Sequence, residues 1–285
     1  MRIAILGATG QLGGRTIAHL KTHVRSDTIV AVARAPSKAT AIAQAGVEVR
    51  QGDYDDRDSL RAAFEGVDTV HLIPSMAMPH ERVQQLENAI GAAREAGVRR
   101  LVHVGLVGTR LDNPFRIMPY LVYAETALRQ SGLAFTLLRN PYYAEPIVEW
   151  VSRIIQMGTI PYPTGDGGHP YASRDDLARA AAAVLAARDV HDGELYDLTG
   201  PESLTTADLC ERVARVSGAE VVPTDATVDD YLQACADDGE PPELSRMLAT
   251  LYEPVRLGFT SFTTDAIERV TGTPARTFEA LLRER

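Results

Sequence analysis

The first fourteen residues, MRIAILGATGQLGG, constrain the fold more than any other stretch of the chain. A short apolar run, Ile3 to Leu6, is followed by Gly7, Gly10 and Gly13 and then by a helical pattern of apolar residues. A strand, a glycine turn and a helix in this order form the arrangement that holds a dinucleotide pyrophosphate. The alternative is an ordinary glycine-rich turn, but three glycines at this spacing carry an entropic cost that a bound ligand would explain.

Each glycine has its own expected role in such a site. Gly7 lets the chain turn sharply off the strand, Gly10 leaves room for a phosphate at the backbone, and Gly13 lets the helix pack close to the sheet. The helix N-terminus offers unpaired N–H groups and a partial positive charge to the phosphates.

The end of the next predicted strand, residues 29–33, indicates which dinucleotide is bound. A site that prefers NAD usually places Asp or Glu there to hold the ribose 2′-hydroxyl. This chain instead has Arg34, with Lys38 four residues later. A guanidinium pairs with a 2′-phosphate through two hydrogen bonds, whereas a carboxylate would repel it. We therefore predict NADPH as the cofactor; the alternative for these two residues is a solvated loop and helix start.

Strand patterns alternate regularly with helix patterns along the chain. This alternation predicts an α/β fold, a doubly wound parallel sheet with helices on both faces. The further predicted strands are residues 47–50, 68–73, 100–105, 133–139 and 193–199, and the predicted helices include residues 36–45, 79–96 and 174–187. Ser173 is suited to cap the helix that follows it, and Thr205 or Thr206 is expected to begin a later amphipathic helix.

Polar residues follow the carboxyl ends of these strands, where open α/β sheets bind ligands. Asp53 is expected either beside the adenine or in an acidic turn, in which Asp56 or Asp58 caps the next helix. His103 lies within an apolar strand and is predicted to be a hydrogen-bonded core residue. His169 follows a Gly- and Pro-rich loop, from which it would reach the pocket.

The sixth predicted strand runs into Asn140 and the pair Tyr142-Tyr143, which are expected to face the nicotinamide. The amide of Asn140 can hydrogen-bond to the backbone or to the cofactor carboxamide. Tyr142, Tyr143 and Trp150 are expected to form an aromatic cluster in the pocket wall, where planar substrates bind well. The alternative is a helix cap within the core.

Composition and missing motifs exclude several classes of protein. A net charge of −9 argues against a general nucleic-acid binder, which needs a basic face. No apolar run approaches the ~20 residues of a membrane helix, and the chain starts directly in a strand without a signal peptide. Cys210 and Cys235 are far apart in the sequence, as is usual for free thiols in a reducing compartment, so a cytoplasmic protein is expected. It is expected to be a monomer or a homodimer. Neither HExxH nor paired CxxC occurs, so no metal site is predicted.

Five stretches together resemble one known family. They read GATGQLGG, VARAPSKA, GVEVRQGDYDDRDSLRAAFEGVD, REAGVRRLVHVG and ETALRQSGLAFTLLRNPYY. They are similar to the atypical short-chain dehydrogenase/reductases with NmrA-like sequence, above all to the type 2 NAD(P)H quinone oxidoreductases and the triphenylmethane reductases. The resemblance is strong over residues 1–200. It implies a Rossmann-like domain of about seven parallel strands, a small C-terminal α+β lobe over the substrate, and NADPH as cofactor.

The resemblance also implies a division of the chain and a set of cofactor residues. Residues 1–150, with 171–200 returning to them, would bind NADP, and residues 151–170 and 201–285 would cover the substrate. The implied cofactor residues are Gly7, Thr9, Gly10, Gln11, Leu12, Arg34, Lys38, Ile73, Pro74, Ser75, Asn140, Pro141, Tyr142 and Tyr143.

The residues that usually donate a proton in the wider superfamily are missing. Typical members carry a Ser and a Tyr-x-x-x-Lys motif, but here Tyr120 is followed four residues later by Ala124, and Tyr123 by Ala127. Related proteins often have Lys or His at the position of Leu121. Tyr120 and Tyr123 remain the candidate catalytic residues, as proton donors or stacking groups. The alternative is that both rings simply pack at a helix start.

Hydride transfer does not need the missing acid. A quinone or a cationic dye accepts hydride directly, so the protein has only to hold it against the nicotinamide in a dry pocket. The sequence therefore predicts an NADPH-dependent reductase of a flat, conjugated small molecule. The alternative is a regulatory protein that senses the redox state of the dinucleotide without catalysis, as in some NmrA-like proteins.

Overall fold

Seven parallel strands form a single sheet, as the alternating pattern predicted. The computed structural model describes the side chains of residues 1–187 and 190–285. The strands are β1 (Ile3–Leu6), β2 (Ile29–Ala33), β3 (Glu48–Gln51), β4 (Thr69–Leu72), β5 (Arg100–Leu106), β6 (Ala134–Asn140) and β7 (Leu195–Asp197). Their order across the sheet is β3-β2-β1-β4-β5-β6-β7. The winding reverses between β1 and β4, so a ligand crevice is expected at the carboxyl ends of these two strands.

The helices connect the strands and continue beyond them. They are α1 (Gln11–Leu20), α2 (Thr40–Gln44), α3 (Arg57–Ala63), α4 (Pro79–Glu95), α5 (Met118–Gln130), α6 (Glu145–Met157), α7 (Arg174–Ala186), α8 (Thr206–Ser217), α9 (Val228–Asp237), α10 (Pro242–Ala249), α11 (Tyr252–Arg256), α12 (Ala266–Thr271) and α13 (Phe278–Arg283). The predicted helix over residues 36–45 begins instead with a 3₁₀ turn, Pro36–Ala39.

The sheet is apolar on both faces because helices cover both. Along β1, Ile3 and Ile5 face the core shared with α1 and α7, whereas Ala4 and Leu6 face the core shared with α3, α4 and α5. Alternate residues of a strand point to opposite faces, so a strand buried on both sides reads as a continuous apolar run.

The predicted caps at Asp56 and Ser173 are confirmed, and Thr205 caps the helix that Thr205 or Thr206 was expected to begin. The side chain of Asp56 accepts a hydrogen bond from the Ser59 N–H at the start of α3. Ser173 accepts from the Asp176 N–H at the start of α7, and Thr205 from the Asp208 N–H at the start of α8. Each side chain satisfies an N–H that has no partner within its helix.

The chain after β7 forms a helical lobe, where the resemblance implied α+β structure. Among the residues that the structure describes, no strand follows Asp197, and the pairing recorded in this region is one antiparallel bridge between His169 and Leu204. The apolar pair Val221-Val222 makes one backbone bond, from the Val222 N–H to the Gly158 carbonyl. Pro223 follows directly and has no N–H, so the pairing cannot continue.

Close backbone contacts attach the lobe to the sheet domain. The backbone N–H of Thr264 in the lobe donates to Thr199 Oγ1, just after β7, at 2.7 Å. The guanidinium of Arg276, near the C-terminus, contacts the buried carboxylate of Asp176 on α7 at 3.2 Å. None of the helices in the part of the chain that the structure describes combines the length and apolarity needed to cross a bilayer.

Candidate cofactor and acceptor site

The glycines after β1 form the predicted turn into α1. Gly7 has a φ of +68°, which side chains rarely tolerate, and its carbonyl accepts the Gly10 N–H at 2.9 Å. A Cβ on Gly13 would lie 2.3 Å from the Gly7 carbonyl oxygen, closer than any side chain permits. Gly13 therefore lets α1 sit directly on the turn, as the sequence predicted.

This turn has the properties of a phosphate cradle. Gly7, Thr9, Gly10 and Gln11 are exposed, and the side chain of Leu12 is buried. Helix α1 has neither a side-chain cap nor an acidic residue in its first turn, so its positive end faces solvent. A Cβ on Gly10 would meet only the Gly7 oxygen, at 3.2 Å, and would otherwise fill the exposed space above the helix start. A dinucleotide pyrophosphate fits this open, positively polarised backbone.

Arg34 and Lys38 place two positive charges beyond the end of β2. Both side chains are exposed, and neither forms an ion pair with any residue that the structure describes. Lys38 belongs to the 3₁₀ turn after β2, in which its N–H donates to the Ala35 carbonyl at 3.0 Å. Two free cations at this point fit a 2′-phosphate.

The turn after β3 is organised by its own acidic side chain. The Asp53 carboxylate accepts the Asp55 N–H at 3.1 Å, and the Asp53 N–H donates to Ser59 Oγ at 2.9 Å. The Tyr54 hydroxyl donates to the Ile73 carbonyl at 2.7 Å and so ties this turn to the end of β4. The acidic-turn interpretation of Asp53 thus accounts for its contacts.

The end of β4 lies beside the glycine turn. A Cβ on Gly7 would be 3.6 Å from the Cβ of Ile73. Two residues later, the Ser75 hydroxyl donates to Gln85 Oε1 at 2.5 Å and accepts the Ala77 N–H at 3.1 Å. The segment Ile73-Pro74-Ser75 is therefore fixed next to the cradle, with the Ser75 hydroxyl engaged in the loop.

The end of β6 is also well anchored. The Asn140 carbonyl accepts the Val107 N–H at 2.9 Å, and Pro141 is buried. Tyr142 stacks on His169 with ring centroids 4.0 Å apart, and its N–H donates to His169 Nε2 at 2.8 Å. The ring of Tyr143 packs under the guanidinium of Arg174.

The expected aromatic cluster of Tyr142, Tyr143 and Trp150 does not form. Tyr142 and Trp150 pack against the core between α6 and α8, but Tyr143 packs on the other side, against the core under α7. Trp150 Nε1 donates to Asp238 at 2.9 Å in the lobe. Neighbouring residues in extended chain point in opposite directions, which separates Tyr142 from Tyr143.

The two candidate catalytic tyrosines lie in different environments on α5. Tyr120 is 4% exposed, and burial raises its pKa to about 12, with a smaller opposing effect of Arg82. Tyr123 is 37% exposed, and its hydroxyl donates to the carboxylate of Glu87 on α4. Tyr120 therefore faces the interior, and Tyr123 lies on the outer surface between α4 and α5.

A small cavity beside Tyr120, into which several polar side chains reach, was not predicted. It lies between the sheet and helices α4 and α5, and Ser75, Arg82, Gln85, His103 and Tyr120 contribute to its wall. The prediction that His103 is buried is confirmed, but both of its ring nitrogens lack a hydrogen-bond partner. One signal could have found the cavity: Arg82 and Gln85 share the helix stripe of Leu86 and Ala89, which is buried.

Known proteins resemble this chain over most of its length. A family described as NAD(P)H-binding matches residues 7–188. Quinone oxidoreductase 2 of Escherichia coli (strain K12) is 36% identical over 247 residues, which cover 87% of this chain and 85% of that protein. NAD(P)H azoreductase of Xenophilus azovorans is 27% identical, over 97% of this chain and 95% of that protein.

A solved structure extends the likeness to the fold and the cofactor. The triphenylmethane reductase of Citrobacter sp., complexed with NADP(H), is 30% identical and superimposes with a TM-score of 0.94. The alignment covers 100% of this chain and 99% of that structure. Together with the glycine cradle and the seven-stranded sheet, these matches show that the chain belongs to the NAD(P)H-binding family and is an NAD(P)H-dependent reductase.

Proposed function

We propose that this protein transfers hydride from NADPH directly to a flat, conjugated acceptor such as a quinone or a cationic dye. The observation that carries the proposal is a complete cofactor cradle without a tyrosine–lysine pair beside it. Tyr120 and Tyr123 have no lysine one helical turn later, and Leu121 occupies the position at which related proteins often have Lys or His. An acceptor that takes hydride without prior protonation suits such a site.

The chain's own residues would hold the two reactants together. NADPH, when bound, supplies the hydride. The turn from Gly7 to Leu12 would bind the pyrophosphate through backbone N–H groups, and Arg34 and Lys38 would bind the 2′-phosphate. The ends of β4 and β6, at Ile73-Pro74-Ser75 and Asn140 to Tyr143, would border the nicotinamide half.

Two exposed apolar side chains support an acceptor with an apolar face. Met76 is 80% exposed in the loop after β4, and Leu111 is 84% exposed in the loop after β5. Both loops follow the carboxyl ends of strands, the edge of the sheet at which ligands bind. A flat conjugated ring placed there would cover apolar surface that water now contacts and would exclude water from the reaction.

The helical lobe would form the other wall of this pocket. The Tyr142 hydroxyl at the end of β6 donates to the Leu251 carbonyl at 3.2 Å, and Arg110 after β5 lies over the Phe259 ring. Residues 151–170 and 201–285 would thus cover the acceptor while residues 1–150 and 171–200 bind NADPH. Because the similar proteins are named as reductases, the regulatory alternative is not favoured.

Mixing the protein with NADPH and a panel of quinones and cationic triarylmethane dyes tests the proposal. We expect NADPH oxidation to accompany reduction of at least one acceptor, with equal amounts consumed. Tight NADPH binding without turnover of any acceptor in the panel would contradict it.

Replacing Arg34 should weaken the binding of NADPH but not that of NADH. We expect Arg34→Ala to raise the Kd for NADPH about 10- to 100-fold, because a hydrogen bond to a charged group contributes about 1.5 to 3 kcal/mol. Arg25→Ala is the matched control, since Arg25 precedes the same strand and its guanidinium pairs with Asp27. Titration by fluorescence would measure the Kd of each dinucleotide for wild type and both variants, six constants in all. An equal loss for both dinucleotides in Arg34→Ala would refute the assignment of the 2′-phosphate to Arg34.

A further inference from the structure

The cavity beside Tyr120 is small, and both polar and apolar side chains line it. Its volume is about 10 Å³, which accommodates a single water-sized group. The wall is formed by α4, α5, β5, the end of β4 and the turn after β3, and it includes Tyr54, Ser75, Arg82, His103 and Tyr120. Buried polar groups normally have hydrogen-bond partners, so an internal space with this lining calls for an occupant.

Three of its wall residues have hydrogen-bonding capacity that the fold does not use. Both ring nitrogens of His103, which is 1% exposed, are buried without a partner. Arg82 donates from Nε to the Ala77 carbonyl at 2.7 Å, but its terminal nitrogens bond to no residue that the structure describes. The Tyr120 hydroxyl likewise bonds to none of the described residues.

The wall of the cavity carries a positive charge. Arg82 is 9% exposed and is within cation–π distance of the Tyr120 ring, 5.9 Å from guanidinium carbon to ring centre. Burial lowers its pKa, and no carboxylate among the described residues counters that effect. Burial also lowers the pKa of His103 to about 3, so the ring is neutral and presents one N–H. A guanidinium, an imidazole N–H and a phenol are all donors.

The cavity adjoins the place where the acceptor would lie. Pro74 and Ser75, at the end of β4, form part of its wall. The Tyr54 hydroxyl, also in the wall, is bonded to the Ile73 carbonyl, and Ile73 is next to Gly7 of the cradle. Hydrogen-bond donors in this cavity would therefore contact an oxygen of the quinone at the edge of the nicotinamide site.

We propose that Arg82, His103 and Tyr120 form an oxyanion subsite that takes one carbonyl oxygen of a quinone-type acceptor. The inference rests on the proposed function. When a quinone is reduced, the C–H bond at nicotinamide C4 would break and the hydride would bond to one quinone oxygen, so that NADPH becomes NADP⁺. The two electrons make the ring aromatic and leave a negative charge on the other oxygen, the one that the subsite takes. Preorganised donors stabilise that charge, and one proton from water then yields the neutral hydroquinone.

A cationic triarylmethane dye provides the contrast. Hydride adds to its positively charged central carbon and gives a neutral product, so no oxyanion forms and no proton is consumed. The subsite should therefore affect quinone reduction and not dye reduction. Loss of folding, of NADPH binding or of the pocket would instead affect both reactions.

The experiment compares Arg82→Gln with Arg129→Gln on both acceptors. Arg129 is an exposed arginine that lies over the Phe135 ring, 5.4 Å from guanidinium carbon to ring centre, on the same helix as Tyr120 and is the matched control. We expect Arg82→Gln to lower kcat for the quinone about 100-fold, the usual effect of removing one oxyanion donor, and to change dye reduction less than about twofold. Arg82→Lys, which keeps the charge, should recover part of the loss.

Binding of a phenolate gives a second readout that does not depend on turnover. In the presence of NADP⁺, wild-type protein should bind 4-nitrophenol as the yellow phenolate, and Arg82→Gln and Tyr120→Phe should lose that preference. If the quinone and the dye are slowed equally, or if no variant changes either reaction, the subsite is wrong while the proposed function stands. If wild-type protein reduces neither acceptor, the proposed function fails and the subsite fails with it.

Discussion

Acidification from about pH 7 to about pH 5 is expected to lower the free energy of unfolding by on the order of 5 kcal/mol. The cause is a set of three histidines that are buried in the folded protein. Burial lowers the pKa of His71 to about 4, and the pKa values of His103 and His169 to about 3. All three rings therefore stay neutral in the folded state over this range.

The sign follows from proton uptake. In the unfolded chain the same histidines have a pKa of about 6.5 and bind protons as the pH falls below that value. The unfolded state binds more protons than the folded state, so the stabilisation by these histidines is lost as the pH falls. It is fully present above about pH 7. Each histidine contributes about 2 kcal/mol between about pH 6.5 and about pH 5, at about 1.4 kcal/mol per pH unit.

Chemical denaturation at a series of pH values measures this effect. His71→Asn, whose amide can still donate to the Val102 carbonyl that His71 Nδ1 contacts at 3.0 Å, should reduce the slope of stability against pH by about a third. His23→Ala, at an exposed position, is the control and should leave the slope unchanged. A stability that stays constant from about pH 7 to about pH 5 would refute the prediction.

Gly13→Ala is expected to disrupt the glycine turn and with it NADPH binding. The new Cβ would lie 2.3 Å from the Gly7 carbonyl oxygen and 2.9 Å from the Gly7 carbonyl carbon. These are backbone atoms, so relief requires α1 to move away from β1, at about 3 kcal/mol or more of stability. The same movement displaces the N–H groups that would bind the pyrophosphate.

Gly14→Ala provides the matched control in the next residue of the same helix. Its Cβ would lie 3.6 Å from the Ala8 carbonyl oxygen, an ordinary contact. We expect this variant to be more stable by about 0.5 to 1 kcal/mol, because alanine favours a helix interior over glycine. Thermal unfolding with and without NADPH distinguishes the two variants, and a stable, NADPH-binding Gly13→Ala protein would contradict the close approach of α1 to the turn.

The features that the sequence predicted correctly depend on local chemistry. The spacing of Gly7 and Gly13 predicts the turn, and the alternation of strand and helix patterns predicts a parallel sheet. The caps at Ser173 and Thr205 are equally local, since the bonded N–H lies three residues away. Such features do not depend on how distant parts of the chain pack.

The features that it missed depend on packing between distant segments. The cavity at His103 arises because β5 pairs with β4, opposite Leu72, and because α4 and α5 meet over that pair. The sequence predicted a hydrogen-bonded histidine there, but no residue that the structure describes hydrogen-bonds to either ring nitrogen. Tyr120 and Tyr123 are three residues apart on one helix, and only the position of α4 decides which ring is buried.

The separation of Tyr142 and Tyr143 is a different kind of error. Their adjacency suggested a shared aromatic surface, but an extended backbone sends neighbouring side chains to opposite sides. This outcome was accessible from the sequence, because both residues directly follow a predicted strand.

NADPH carrying deuterium at both nicotinamide C4 positions tests direct hydride transfer most directly. The labelled cofactor, the protein and a cationic triarylmethane dye are mixed in ordinary water, and the colourless product is examined by mass spectrometry and NMR. Direct transfer predicts one deuterium on the central carbon of the product and a slower reaction than with unlabelled NADPH. A product with hydrogen from water at that carbon would contradict the proposed function.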